Sequence, residues 1–267
     1  MTNADPSALS PRHGHRDADW EVRQPPDVDV LIVGSGFSGI CLGVRLRQAG
    51  IESFLIIEKV EELGGTWRDN RDPGGAYDVP SPLYSLSFAP RSDWRRLYPS
   101  PELWEYLRDV ADRFGWRPKL RFNVAMSRAR WHEAKAHWLV TTNSGATIRA
   151  SILVSGFPNF FTSLGPDTGI GHHSVVIMIE AQARYLICLL QMRGQRLKVI
   201  DCKPEVEDQF FDRIEEQLEP TVWQSGGCRS PYQDRAGHDA AIWPSLTATY
   251  PGQTRSATLA DFAAVAA

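Results

Sequence analysis

Residues 27–40 read DVDVLIVGSGFSGI. Asp27–Val33 is a short run rich in Val and Ile that leads straight into Gly34, the pattern of a strand buried in a parallel sheet. A helix is predicted from Ser38 to Ala49, with Gly50 in the position just past its end. Ser53–Glu58 (SFLIIE) reads as a second buried strand. Together these make a β-α-β unit of about thirty residues, the size of a Rossmann-type start.

Gly34, Gly36 and Gly39 supply G-x-G-x-x-G at the point where the first strand meets the helix. That spacing is a weak signal alone, but here it has the strand and helix it requires. Gly34 makes the tight turn, Gly36 lets backbone approach a pyrophosphate, and Gly39 lets helix and strand pack closely. The phosphates would sit on the helix N-terminus, where free N–H groups and the dipole favour anions. Glu58 ends the second strand, placed to bond ribose hydroxyls. An acid there rather than an arginine argues against a 2′-phosphate, so this site would take FAD or NAD and not NADP.

Outward from this unit, residues 61–99 are rich in Gly, Pro and Trp and lack periodicity, the mark of a functional loop region. Ser100-Pro101-Glu102 then opens a helix, with Ser100 as N-cap. Leu103, Leu107, Val110, Ala111 and Phe114 keep helical spacing, and Gly115 ends it. Residues 128–142 look like a hairpin, with Trp131 and Trp138 flanking the turn HEAKAH. Thr147–Val154 is a strand returning to Ser155-Gly156. Ser174–Arg193 reads as a buried helix, Leu197–Asp201 as a short strand, and Pro204–Leu218 as an amphipathic helix with Val206, Phe210, Ile214 and Leu218 at i+4 steps. Residues 221–250 are turn-rich and read as a hairpin covering a sheet edge.

The chain's 267 residues allow one large domain or two small ones. A hydrophobic content of 42% with 23% charged residues is that of a soluble globular protein with a sizeable core. The net charge of -3 argues against a nucleic-acid partner or an anionic membrane. The run 175–190 is strongly apolar, but Glu180 and Arg184 interrupt it, so a buried helix is expected and not a membrane span. Cys41, Cys188, Cys202 and Cys228 are far apart, without zinc-like spacing, and read as reduced thiols of a cytosolic chain. Residues 1–26 read as a disordered extension without a signal peptide. His13 and His15 fall in that solvated tail, and no metal site is expected.

Gly64-Gly65-Thr66-Trp67 follows closely on Glu58, and Asp78-Val79-Pro80-Ser81 and Tyr84 come after it. With VLIVGSGFSGI, GGTWRDNRDPGGAYDVPSPLYSLSF and GPDTGIGHHSVVIMIEAQ, this series resembles the flavin-dependent monooxygenases. The similarity is to the Baeyer–Villiger and related N- and S-oxygenating enzymes, and it runs from Asp27 to the region of Trp243-Pro244. The resemblance implies a Rossmann-like FAD-binding domain of the two-dinucleotide-binding flavoprotein type, with a β-meander and C-terminal helices. It implies oxygenation of a small organic ketone, amine or sulfide with NADPH and O2. The cofactor-binding residues it implies are Gly34, Gly36, Phe37, Ser38, Gly39, Glu58, Lys59, Gly65, Thr66, Trp67, Asp78, Tyr84 and Met126. Glu58 would hold the ribose, Gly65, Thr66 and Trp67 would follow the pyrophosphate and flavin, and Met126 would place its backbone near adenine. Asp78 and Tyr84 would lie at the isoalloxazine as the catalytic candidates. In the same resemblance Gly165-Pro166-Asp167-Thr168 and Gly171-His172-His173-Ser174 precede a helix whose start closes over the flavin. His173 departs from the family's usual asparagine. Read blandly, Trp67 and Tyr84 are core aromatics, Asp78 a turn cap and Ser174 a plain N-cap.

The stretch ILVSGFPNFF, residues 152–161, joins a strand ending in Ser155-Gly156 to an aromatic turn. In the resembling family a whole NADP-binding domain stands between two such pieces. This chain shows no second G-x-G-x-x-G and no match to the Baeyer–Villiger signature. The expectation is an internal deletion, with the N-terminal part of an FAD domain over 27–156 and its C-terminal part over 157–267. A flavin monooxygenase served by a separate reductase, and an FAD-holding remnant or subunit without turnover, are the two readings left. A plain NAD-binding Rossmann protein would lack the GGTW and DVPS series.

Overall fold

The computed structural model describes residues 26–72, 81–91, 93, 100–154, 159–165, 167–169, 174–227, 232–233, 237, 239 and 241–266. Strand β1 (Val28–Val33) feeds helix α1 (Phe37–Gln48), which returns to β2 (Phe54–Ile57). A single helical turn spans Thr66–Asp69 and a 3-10 turn spans Ser81–Tyr84. Helix α2 covers Ser100–Arg113, so Ser100 is its first helical residue and not the cap. Then come β3 (Leu120–Arg121), β4 (Met126–His132), β5 (His137–Thr142) and β6 (Thr147–Val154).

These strands form one mixed sheet in the order β3-β2-β1-β6-β5-β4. β1 is parallel to both β2 and β6, whereas β4, β5 and β6 form an antiparallel meander. Val33 pairs with Ile57 and Ile32 with Val154, which sets the carboxyl ends of β1, β2 and β6 level. β1 connects through α1 to one neighbour and lies against β6 on the other side. That is a topological switch point, where open α/β sheets bind ligands.

Alternation along β1 divides the core. Val30 and Ile32 pack with Ile40 and Val44 of α1 and Leu103 and Leu107 of α2. Leu31 faces the other way, with Ile57, Leu153 and the meander residues Trp138 and Val140.

The apolar run at 175–190 forms helix α3 (Val175–Arg196), capped by the buried Ser174, whose Oγ accepts the Val176 N–H at 3.2 Å. Among the described residues this is the one helix long and apolar enough to cross a membrane. Its apolar faces have neighbours within the fold: Val176 and Ile179 join the core under the sheet, and Met178 and Ala181 a second core. Glu180 ties α3 to the rest, accepting the Ser87 N–H at 2.9 Å and lying 3.4 Å from Arg45 of α1. β7 (Leu197–Cys202) and α4 (Pro204–Leu218) follow.

Two expectations are corrected in the C-terminal part. The hairpin expected over 221–250 falls in part outside the described residues, and no pair of strands is seen in the rest. Among the described residues they hold a helical turn (Val222–Ser225), a 3-10 turn (Thr247–Thr249), an isolated antiparallel bridge between Gln233 and Asp239, and the pair Ile242-Trp243 running parallel beside Gly169. Ile242 and Trp243 are buried against Ile214 and Leu218 of α4. The second correction is an added strand, β8 (Phe262–Ala266), antiparallel to β7 in a separate two-stranded sheet.

Only four residues, 155–158, separate β6 from Asn159, and they lie outside the described residues. On the far side Phe160 makes a parallel bridge to Leu153. Asn159 joins the sheet to β7: its Nδ2 donates to Ser151 O and Lys198 O, and its Oδ1 accepts the Ile200 N–H at 2.8 Å.

Candidate functional site

The site is built at the carboxyl ends of β1, β2 and β6. Gly34 turns with φ 98° and donates its N–H to Ile57 O at 2.8 Å, fixing the turn to the end of β2. A Cβ on Gly39 would lie 2.1 Å from Gly34 O, so only glycine lets α1 start this close to β1. Helix α1 begins after Gly36 with no side-chain cap and no acid in its first turn. Its first N–H groups and dipole therefore offer an anion site.

A second glycine loop lies on the first. Gly64 donates to Ser35 O at 2.9 Å, and a Cβ on Gly65 would come within 3.1 Å of the Gly36 Cα. Gly64 has φ 130°, and a Cβ there would meet Trp104 at 2.6 Å. Trp104 in turn donates from its ring to Leu63 O at 2.8 Å. Thr66 is exposed at the head of the turn and Trp67 is half-buried.

Glu58 is 4% exposed. Its Oε2 accepts the Ser35 N–H at 3.0 Å and the Ser35 hydroxyl at 2.7 Å, and its Oε1 faces Arg68 Nη1 at 3.4 Å. The Val124 N–H donates to Glu58 O at 2.9 Å, which brings the segment leading to Met126 alongside the end of β2. Met126 is half-buried at the start of β4, and Lys59 is exposed.

Aromatic rings close one side. Tyr84 stands edge-on to Trp67 (5.3 Å between centroids) and to Phe37 (5.5 Å). Phe37 also stacks on Tyr106 at 6.2 Å. Tyr106 donates to Ala89 O and accepts the Leu86 N–H, and burial raises its phenol to about 12.

A cavity of about 360 Å³ opens over these groups, lined by Gly36, Ser38, Trp67 and Tyr84, with Val175 and Val176 from the start of α3. A larger one of about 650 Å³ meets it at Ser38 and runs past Val154, Phe161 and Gln182. In the second, Gln182 donates to Tyr250 Oη at 3.0 Å and accepts the Leu164 N–H at 2.8 Å.

The structure thus brings together Gly34, Gly36, Phe37, Ser38, Gly39, Glu58, Gly65, Thr66, Trp67 and Tyr84. Asp78, His172, His173 and the junction at Ser155-Gly156 lie outside the described residues. Among the described residues there is no group of three or more His, Cys, Asp or Glu able to hold a metal. Ser35 and Arg68 were missed in the sequence, since only their spatial partner Glu58 marks them.

Residues 32–109 match the NAD(P)-binding Rossmann-like domain. A Baeyer–Villiger monooxygenase of Streptomyces coelicolor is 46% identical over 129 residues, 48% of this chain and 25% of that protein. Half of this chain is similar to Baeyer–Villiger monooxygenases. One from Pseudomonas aeruginosa is 37% identical over 138 residues, 51% of this chain and 26% of its own length. A crystal structure of OTEMO complexed with FAD and NADP is 32% identical over 50% of this chain and 26% of that one, with a TM-score of 0.46. The chain spans about a quarter of the length of the Baeyer–Villiger monooxygenases it matches.

Proposed function

We propose that this chain binds FAD and is a flavoprotein of monooxygenase type. The observation that carries this is the stacking of the Gly64-Gly65 loop on the Gly34–Gly39 turn, with buried Glu58 at its base. The residues present fit the group. The uncapped start of α1 is open to a pyrophosphate. A carboxylate has about four lone-pair positions. Glu58 uses three, leaving one for a sugar hydroxyl. Val33 and Leu164, 39% and 38% exposed, leave apolar surface at the cavity for a ligand to cover.

Bound FAD would supply the redox and oxygen chemistry that side chains lack. The chain's own residues would do the placing. The α1 N–H groups would hold the pyrophosphate and Glu58 the ribose. Phe37, Trp67 and Tyr84 would wall the ring system and exclude water. The start of α3, at Val175 and Val176, would set its positive dipole end toward developing negative charge. By the resemblance of its sequence motifs, the substrate class proposed for the whole protein is a small ketone, amine or sulfide, with NADPH and O2. Asp78 and Tyr84 are the proposed catalytic residues.

The short join between β6 and Asn159 favours a second reading. The FAD domain parts 27–156 and 157–267 would then be joined directly, and FAD would be held without turnover or reduced by a separate protein. The visible spectrum of the purified protein tests the main proposal. A flavin spectrum, with FAD released on denaturation, is expected. Folded, colourless protein that takes up no added FAD overturns it. NADPH oxidation by the loaded protein then separates the two readings.

A further inference from the structure

Arg68 lies beside the ribose site but has no role in the reading above. It is 6% exposed, so its charge must be met within the protein. Its Nε and Nη2 take both oxygens of Asp69, at 2.8 and 3.0 Å. Its Nη1 donates to Glu62 O and faces Glu58 Oε1 at 3.4 Å. The hydrogen bonds it donates to Asp69 and the nearby Glu58 charge hold the guanidinium's pKa above its usual value. One side chain therefore brackets the end of β2, the loop after it and the turn carrying Thr66 and Trp67.

The lone-pair count gives this bracket a chemical consequence. Both positions of Glu58 Oε2 go to Ser35. The one position left for a ligand is on Oε1, the oxygen that Arg68 faces. We propose that Arg68 is the positioning residue of the ribose site: it sets the direction of Glu58 Oε1 and supplies the counter-charge that lets a buried carboxylate await a sugar hydroxyl. This rests on the FAD reading, and it assigns the adenosine end of the ligand to a pair, Glu58 with Arg68, and not to Glu58 alone.

The test compares FAD with FMN, which has the flavin but no adenosine. Full-length protein, R68M, R68K, E58Q and R68M/E58Q are titrated with both by fluorescence, after thermal unfolding confirms that each is folded. R68M is expected to weaken FAD binding roughly ten- to a hundred-fold, the range of one charge-assisted hydrogen bond, with FMN affinity unchanged. R68K should recover part of the loss, and R68M/E58Q should bind FAD no worse than the weaker single variant. Equal loss for FAD and FMN, or additive losses in the double variant, overturns the positioning role and leaves the flavin reading intact. Wild-type protein that is folded but binds no FAD defeats the flavin reading itself. If R68M and R68K do not fold, E58Q carries the test, because FAD binding unchanged in E58Q refutes a ribose site built on that pair.

Discussion

Asn159 is fully buried and has φ 53°, a left-handed backbone that few residues other than Gly, Asn and Asp adopt readily. It donates its own N–H to Ile200 O and accepts the Leu153 N–H, while its amide reaches Ser151, Lys198 and Ile200. Asn159→Ala should therefore lower stability by about 2–4 kcal/mol, from a stranded Ile200 N–H plus the positive-φ strain. Asn159→Gly loses the same side-chain bonds but keeps the backbone freedom, so it should lose less. Urea unfolding of the two variants separates these contributions, and an alanine variant within about 0.5 kcal/mol of the parent contradicts the account. Gly39 is under a different constraint, since the contact a Cβ would make is with the Gly34 carbonyl, which cannot rotate away. Gly39→Ala should force α1 off β1, lower stability by about 1–3 kcal/mol and weaken FAD uptake by moving the helix N-terminus. Unchanged FAD affinity in that variant would mean that α1 does not hold the phosphates.

The hairpin of β4 and β5 carries a pH prediction. His132 and His137 pair across the strands with rings 5.8 Å apart, and His132 Nδ1 and His137 Nε2 are buried without hydrogen-bond partners. Burial lowers the His137 pKa below 6.5, and His132, Arg149 and Lys135 lower it further. The unfolded chain thus takes up the proton first. The contribution of His137 to stability is complete above pH 6.5 and is lost as pH falls from 6.5 through the lower folded value. Urea midpoints from pH 8 to 5 should fall more for the parent than for His137→Phe; parallel curves would show that this imidazole does not report on folding. The hairpin itself was legible in the sequence, because Trp131 and Trp138 flank a turn and do face each other, 5.5 Å apart. Helix α4 was legible to the residue, since Pro204 marks its start and Ile214 and Leu218 keep its buried stripe. Strand β8 was not: FAAVA is mostly alanine, which carries little strand preference, and its partner β7 lies some sixty residues earlier. The path of Ile242 was hidden for a similar reason. It is held by the Asp239 carboxylate, which accepts the Ala241 and Ile242 N–H groups at 3.0 Å, a side-chain contact with no periodic pattern. In the site, the glycine spacing announced the turns, but the partners of Glu58 depend on how the Gly64–Asp69 loop folds back.

At the scale of the whole molecule, the mixed sheet carries the Gly34–Gly39 turn with the Gly64-Gly65 loop upon it, and after β6 the chain returns to that strand within four residues. A ligand that binds only the folded state stabilises it by mass action, about 2.7 kcal/mol at a hundred-fold excess over its dissociation constant. FAD at that excess should raise the unfolding temperature, whereas NADPH alone should leave it unchanged, because Glu58 at the end of β2 disfavours a 2′-phosphate. The reduction step then distinguishes an independent enzyme from a cofactor-holding chain. With FAD bound, dithionite should bleach the flavin absorbance, since the two cavities that share Ser38 are both open to solvent. NADPH should bleach it far more slowly, as only four residues stand between β6 and Asn159, too few to form a domain that carries a hydride donor. Anaerobic spectra after each addition decide the matter. Rapid bleaching by NADPH would mean that the nicotinamide reaches the flavin from the open side of this one sheet, and that the chain is a self-sufficient oxidoreductase. Bleaching by dithionite alone would make a separate reductase the requirement for turnover.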